Sequence, residues 1–556
     1  MSILGKVWNI KNSEHGVPLL ERLLKNRGLE HPEQVQNFLY PEQVRDFHDP
    51  FLMADMEKAV ARIGEAIDKS ERIMIFGDYD VDGITASAIL LRTLKKMGAQ
   101  VSCRLPHRIE DGYGLRKKFM DEFKKIEVKL VITVDNGISC FNEVAHGNSL
   151  GIDTIVTDHH TIPEKLPDAI ALLHPKLPGA GYPCTELTGA GVALKLAQAL
   201  YERRLPEKKD DIYELLDLAC MGTVADLGEL RGENRFIVKE GLQKLQNTRW
   251  PGLSRLKESA GIQGKLTVHH IGFMLCPRIN AAGRMAHPTD ALKLLISDGN
   301  ATGVMADQLE ILNKKRQKLT GELIEIAEEI AMEQKEEPLT VIAHTSFHSG
   351  IIGLIAARIC EKYGKPAIIM EDRGEVVVGS CRSIPGINVV EILTHASELM
   401  TGFGGHAAAA GFEMPKKNLE KFTKKSIKKM NTMLKAGPLK PQLDIDCLLE
   451  EADITDRTIK LLELMEPYGM GNERPKFLCT GLPVHEVNTV GKEKKHLKIT
   501  SHLNGKKIDC MAFKMGHLLA ELSAATTIDA VCELEENEWM GRKRLQLNII
   551  DFSVCA

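Results

Sequence analysis

IMIFGDYDVDG, residues 73–83, decides the fold. An apolar, β-branched run breaks at Gly77 into a loop that carries aspartates at 78, 80 and 82, and a helical pattern starts after Gly83. Three more such runs follow, QVSCRL (100–105), LVITV (130–134) and IDTIV (152–156), with amphipathic stretches between them, the rhythm of a parallel sheet with crossover helices. LVITV runs into Asp135-Asn136-Gly137, and IDTIV into Thr157-Asp158-His159-His160. Ligands of open α/β sheets bind beyond the carboxyl ends of the strands, so these Asp and His side chains are expected to converge on one crevice.

Outward from this core, helical patterns fill 189–203, 211–224 and 234–247. A longer amphipathic stretch at 304–335 repeats Leu309, Leu312, Leu319, Leu323, Ile326 and Ile330 and stops before Pro338. At 1.5 Å per residue it would be roughly 45 Å long, a strut between domains. A second, smaller α/β unit opens at LTVIAH (339–344) and continues through a helix near 350–363, the strands PAIIM and EVVVGS, and a glycine-rich turn GFGGHAAAAG (402–411). Residues 416–440 hold nine Lys against one Glu, read as a solvated helix face rather than a nucleic-acid track. The final segment alternates short runs such as HLKITS, KIDCMAF and LQLNII, the pattern of a small β barrel.

Composition bounds the answer. A chain of 556 residues is too long for one core and implies three or four domains. With 43% apolar and 27% charged residues it is a folded chain, not a disordered or collagen-like one. No apolar run approaches the ~20 residues of a membrane span. The opening MSILGKVWNIKNSEHG lacks signal-peptide character, so a cytoplasmic protein without membrane association is expected. The 12 cysteines form no Cys-x-x-Cys pair, which argues against zinc ribbons and disulfide frameworks and for reduced packing residues. A net charge of −4 and only 5% aromatics argue against a general nucleic-acid-binding surface but leave room for a local basic groove.

Asp78, Asp80 and Asp82 crowd together with Asp135 and Asp158 at the strand ends, and such carboxylates repel unless cations neutralise them. Gly77 and Gly83 are expected to let the loop turn tightly. Helix capping is the alternative reading for single members, with Asp82 capping a helix from Ile84 and Asp158 a turn. Oxygen ligands with an added imidazole point to Mn²⁺, with Mg²⁺ as the alternative, rather than structural zinc. Two such ions sharing a carboxylate hydrolyse phosphoesters.

GDYDVDG, VDNG and TDHH, in this order and spacing, resemble the DHH phosphoesterase superfamily. The match extends to LLKNRGLEHPEQVQNFL (23–39), GTVADLGELRGENR (222–235), PRINAAGRM (277–285), FHSGIIGLIAARI (347–359), GSCRSIPGINVVEIL (379–393), GFGGHAAAAGF (402–412) and PYGMGNERPKF (467–477), which look like the RecJ branch of single-strand-specific DNA exonucleases. The resemblance implies an N-terminal helical extension (1–50), a DHH catalytic domain (51–300), a connecting helix (301–337), a DHH-associated α/β domain (338–438) and a C-terminal OB-fold barrel (439–556). It also implies that Asp78, Asp80, Asp82 and Asp135 hold metal, with Asp135 bridging, and that His159 and Asp226 complete a second ion. Asp158 would orient a neighbouring imidazole, and His160 would face the scissile phosphate. Phe76 stands where smaller relatives place a metal-binding His, and the RecJ branch uses the extra aspartate, here Asp78. Gly228 and Glu229 depart from the apolar or proline residues usual after the GTVAD aspartate, which bears on the loop rather than the ligand. Taken alone, Asp226 reads as a cap or a surface charge.

By the same resemblance, Arg382 and Ser380 in GSCRS, with Arg108 in LPHRIEDG, form a pocket for a 5′-terminal phosphate. Arg278, Asn280 and Arg358 contact the DNA backbone, and His406 borders the cleft. Without the family each Arg reads as a surface ion pair or interdomain packing. Lys492, Lys494, Lys495 and Lys498 would charge the OB-fold groove. A narrow channel between the two α/β units would exclude duplex DNA.

The implied activity is a two-metal 5′ to 3′ exonuclease releasing nucleoside 5′-monophosphates from single-stranded DNA in repair and recombination. The chain would act as a monomer supplied by a helicase and a single-strand-binding protein. The alternatives are a phosphodiesterase for short oligonucleotides or cyclic dinucleotides, which would need neither the strut nor the last domain, and a silent replication scaffold, which would be expected to have lost ligands.

Overall fold

The computed structural model describes residues 2–14, 16–179, 181–434, 441–503, 505–539 and 542–554. They form two compact units, one built from Phe47–Gly228 with Phe236–Leu439, the other from Met1–Asp46, Glu229–Arg235 and Lys440–Ala556. Among the described residues no helix is long and apolar enough to cross a membrane. All the described cysteines are free, and most are buried.

The larger unit contains two five-stranded sheets. The first is wholly parallel, in the order Gln100–Arg104, Arg72–Gly77, Val128–Val134, Asp153–Thr157, Ala171–Leu173. Its central strands are buried nearly end to end, as expected when helices cover both faces. Ala171–Leu173 was not foreseen, because three residues carry no periodicity. Phe76 lies in the core against Phe119, with ring centroids 5.1 Å apart.

Helix Val81–Lys96, rich in Ala, Ser, Thr and Leu, is buried for most of its length between the sheet and helices Gly189–Arg204 and Leu216–Ala225. The close approach depends on Gly222, where a Cβ would lie 2.5 Å from both Ala190 Cβ and Asp82 Oδ1.

The long helix runs from Thr302 to Glu333, about 48 Å. It is packed rather than a free strut, against Cys276–Met285 near its start and Ser349–Tyr363 near its end. The second sheet has the order Gly402–His406, Ala409–Pro415, Val376–Arg382, Ala367–Asp372, Thr340–His344. The glycine-rich segment read as a turn is therefore a hairpin, with Gly402 opposite Glu413 and His406 opposite Ala409. Glycines hid the strand because they supply no alternation, and all five residues of Gly402–His406 are exposed on the sheet edge.

The second unit holds an eight-stranded sheet in which Val7–Asn12 pairs in parallel with Gln442–Leu448. The N-terminal segment is thus not only helical, as the resemblance had implied. VWNIKN mixes β-branched and aromatic residues with polar ones and occupies the sheet edge, followed by helices Leu19–Lys25 and Pro32–Leu39. Leu23, Phe38, Phe477, Ile499, Ile528, Leu547 and Phe552 share one core here.

Arg235 ties this core together. Its side chain is fully buried, its guanidinium stacks 3.9 Å from the Phe38 ring, and it donates to the carbonyls of Phe38, Met465, Glu466 and Pro467. Removing it leaves buried acceptors without donors, each costing about 1–3 kcal/mol. Arg235→Met is expected to destabilise this unit by about 3 kcal/mol or more, measured as loss of native-state hydrogen-exchange protection in Leu19–Leu39 and Gln442–Leu464 before the parallel sheet opens.

Candidate metal centre

The parallel order places the ends of Arg72–Gly77, Val128–Val134 and Asp153–Thr157 side by side, and their loops bring the acids together. Among the described residues, three sets of side chains have ligand atoms within 4.8 Å of one another: Asp78, Asp80 and Asp135; Asp82, His159 and Asp226; and Asp135, His159 and His160. His159 Nε2 lies 3.0 Å from Asp135 Oδ1 and 3.7 Å from both Asp82 Oδ2 and Asp226 Oδ2. Asp135 thus belongs to the first set and touches His159 of the second.

Close approach, not backbone freedom, explains the glycines of GDYDVDG. Neither Gly77 nor Gly83 has a positive φ, but a Cβ on Gly83 would stand 2.7 Å from Asp78 Cα. Asp135, in contrast, adopts φ +61°, a left-handed conformation costly for a non-glycine residue. Gly189 leaves room for it, since a Cβ there would meet Asp135 Oδ1 at 2.7 Å.

Helix capping also occurs, but on another residue than expected. Asp80 caps Val81–Lys96 through Gly83 N at 3.2 Å. Asp82 accepts from Gly189 N and Ala190 N, at 2.7 and 2.8 Å, at the start of a different helix. Asp226 follows Leu216–Ala225 as its C-cap. The departure at Gly228 is a packing solution, because a Cβ would sit 2.7 Å from Thr188 Cγ2.

The inner part of the cluster is nearly dry, with Asp78, Asp82 and Asp135 4%, 1% and 2% exposed, whereas Asp226 at its rim is exposed. Burial first, and then mutual repulsion, pushes the Asp78 and Asp135 carboxyls well above the usual range and raises Asp82 and Asp226 to about 7. Burial holds His159 down, so it offers a neutral ring nitrogen. Asp78 Oδ1 is buried without a hydrogen-bond partner. A set of acids that cannot all ionise together, a neutral imidazole and an orphaned carboxylate oxygen fit divalent cations.

Asp158 sits behind this layer. It accepts from Ile138 N (2.9 Å), His159 N (2.7 Å), His160 N (3.1 Å) and His160 Nδ1 (2.7 Å). Burial opposes its ionisation, but the His160 ring and these amides hold it down at about 2. His160 in turn loses to burial but gains more from Asp158, rising to about 9, so its ring is an imidazolium at neutral pH. Two residues that touch His160 were missed in the sequence. Tyr113 Oη lies 3.4 Å from the His160 ring nitrogens and 3.3 Å from Asp135 O, and fully buried His174 sets Nε2 2.8 Å from His160 O. A lone Tyr after a loop and a His after a three-residue strand carry no spacing signal.

The basic residues divide. Arg382 donates to Ser380 Oγ at 3.1 Å, and a Cβ on Gly353 would meet both side chains. Arg108 stacks 4.0 Å from the Tyr79 ring, between Asp78 and Asp80 in the chain. Arg284, missed although it ends PRINAAGR, donates to Gly350 O at 2.8 Å. Burial pulls its guanidinium down to about 9, and the charges of Arg108, Arg316 and Arg382 add to this while Asp80 opposes it. These arginines and the acid loop therefore share one electrostatic neighbourhood. Arg278 instead pairs with Glu310 of the long helix, Nε to Oε2 2.7 Å, and donates to Met274 O. Asn280 Oδ1 is buried without a partner. Arg358 is an exposed helix residue paired with Glu361 at 3.1 Å, and His406 ends the exposed edge strand.

Comparison with known proteins agrees with this geometry. Residues 72–223 match the DHH family N-terminal domain, 336–432 the DHHA1 domain and 445–551 the RecJ OB domain. The chain is 37% identical to the single-stranded-DNA-specific exonuclease RecJ of Bacillus subtilis, over 99% of this chain and 70% of that protein. The chain belongs to the RecJ family. The RecJ of Dickeya dadantii is 31% identical, over 96% of this chain and 95% of its own length. A crystal structure of Thermus thermophilus RecJ in complex with Mn²⁺ superposes with a TM-score of 0.84 at 29% identity, covering all of this chain and 80% of that one. The same protein in complex with Mg²⁺ gives 0.78.

The raised carboxyl pKa values set a sign. A folded state that keeps protons which the unfolded chain has released is penalised as pH rises, so metal-free stability should fall between about pH 4 and 7 as Asp82 and Asp226 ionise in place. Mn²⁺ added at pH 6 should expel protons and restore stability, read by calorimetry in buffers of different ionisation enthalpy and by thermal unfolding with and without metal.

Proposed function

We propose that this chain is a metal-dependent exonuclease that digests single-stranded DNA from its 5′ end and releases nucleoside 5′-monophosphates, with a role in DNA repair and recombination. The observation that carries the reading is the pair of ligand sets, Asp78/Asp80/Asp135 and Asp82/His159/Asp226, joined through the Asp135–His159 contact. In this reading Asp78, Asp80, Asp82, Asp135, His159 and Asp226 hold two divalent ions, Mn²⁺ or Mg²⁺, which supply charge neutralisation at the phosphodiester and make water acidic enough to attack. The structures of the T. thermophilus relative with Mn²⁺ and with Mg²⁺ support this cation class.

The chain's own groups do the rest. Asp158 positions and charges His160, whose imidazolium faces the scissile phosphate. Arg108, Ser380 and Arg382, with Arg284 beside them, grip the 5′-terminal phosphate, a task suited to the planar guanidinium fork. In the reaction an oxygen from water joins phosphorus and the bond to the 3′ oxygen breaks. The released nucleotide keeps its 5′ phosphate, and the shortened strand gains a new one. We assign catalysis to 51–300, with 338–438 and the segment 439–556 holding the strand, for which the RecJ OB domain match at 445–551 is the support. A helicase or strand-binding protein that exposes 5′ ends would feed such an enzyme.

The test is digestion of a single-stranded oligonucleotide labelled in turn at each end, with Mn²⁺ and with chelator. Stepwise release of the 5′-terminal mononucleotide, abolished by chelator and reduced about a thousandfold or more by Asp135→Asn, is the expected result. Survival of long strands with cleavage of dinucleotides, or release from the 3′ end, would overturn it. Asp158→Asn should cost about 10- to 100-fold in rate, the usual effect of losing a group that orients a site residue. Affinity for a non-cleaved strand should fall linearly in log–log form with salt, by about 0.7 per phosphate contacted.

A further inference from the structure

One aromatic side chain beside this centre has no part in the proposed chemistry. Phe273 is 73% exposed, the most exposed aromatic residue among the described ones. It lies in Ile271–Leu275, wound as a π-helix between Val268–His270 and Cys276–Met285. Such turns replace the regular helical hydrogen bonding and are frequent at functional sites. Here the widened turn keeps Ile271 and Leu275 in the core and swings Phe273 outward. The His269 ring stacks on it, centroids 4.7 Å apart and planes 23° off parallel, so the two rings make one ledge whose outer face is open.

The backbone of the ledge packs against the helix Leu216–Ala225, which Asp226 caps: a Cβ on Gly272 would lie in ordinary contact with Val224 Cγ1, at 3.9 Å. Leu227, next to Asp226, is itself 65% exposed and held at φ +58°. On the other side, Cys276 Sγ lies 3.9 Å from Met221 O of the same helix. Two exposed apolar side chains therefore stand beside the helix end that carries Asp226, Leu227 next to it in the chain and Phe273 next to Gly272, in a chain with only 5% aromatic residues.

We propose that Phe273, backed by His269, is a stacking platform for a nucleobase of the strand being digested, fixing the bases next to the scissile phosphate while the arginines fix its backbone. This rests on the single-strand exonuclease reading. Stacking suits a non-sequence-specific enzyme because every base offers a π face, and one aromatic contact is worth about 1–3 kcal/mol per base, or roughly 5- to 150-fold in affinity.

The experiment uses the full chain and 5′-phosphorylated oligonucleotides, intact or with one abasic nucleotide placed in turn at each of the first few positions. Binding is measured by fluorescence anisotropy with Mn²⁺ in the Asp135→Asn background, and digestion of the intact strand by the wild-type chain is followed in parallel. An abasic nucleotide at one position should weaken binding roughly tenfold. Phe273→Ala should weaken binding of the intact strand by a similar factor and erase that abasic penalty. Phe273→Trp should restore both, with its fluorescence quenched on strand addition. If Phe273→Ala, with an unchanged circular dichroism spectrum, binds the intact strand normally or keeps the abasic penalty while the wild-type chain digests DNA, the platform is refuted and the exonuclease reading stands. If the wild-type chain neither binds nor digests strands, both fall.

Discussion

Repulsion between carboxylates that the parallel sheet forces together is the constraint on which the rest of this unit depends. Four aspartates of the candidate centre descend from adjacent strand ends or the turns after them, and three are almost inaccessible to water. Among the described residues nothing neutralises them fully: His159 is held neutral, His160 is hydrogen-bonded to Asp158, and the charges of Arg108 and Lys176 leave Asp78 and Asp226 raised. The fold must therefore be rigid enough to hold the acids in place before any cation arrives. Continuous burial of the central strands and of helix Val81–Lys96 supplies that rigidity.

The same constraint accounts for the small residues around the site. Gly83, Gly189 and Gly222 each stand where a Cβ would strike an aspartate of the cluster. Three helices can present their backbones to the acids only because these positions lack side chains. Two of the resulting amides, at Gly189 and Ala190, donate to Asp82 and offset part of its burial. The left-handed backbone of Asp135 belongs to the same solution: local strain is accepted in order to aim one carboxylate between two ligand sets.

Much of this was legible in the residues, and the parts that were not have physical reasons. Strand ends followed by Asp or His carry a signal twice over, in the β-branched run and in the charge that stops it, so the parallel sheet and the residues converging on its edge could be read directly. Val7–Asn12 and Gly402–His406 could not, because their pairing is decided by distant strands or by glycines that show no alternation. Tyr113, His174 and Arg284 share another kind of silence. Each acts through one or two contacts to groups far away in sequence, and one polar residue in a loop or at a helix end looks like any other. The alternative reading in which Asp82 caps its own helix fails for a related reason: Asp80 is better placed for that amide, and the helix that Asp82 serves begins more than a hundred residues later.

Electrostatics also explains why arginine, not lysine, gathers beside the acids. Arg284 is pulled down by burial and by three neighbouring guanidinium groups, yet at about 9 it stays charged at neutral pH. A lysine starts about two units lower and is more strongly hydrated, so the same environment would bring it to the edge of neutrality. The acids tolerate low dielectric because cations can be recruited to them, whereas Arg284 keeps its charge with Asp80 to favour it. In the proposed reading a chain of net charge −4 can still hold a polyanion, because the charges that count are the few whose solvation has already been given up.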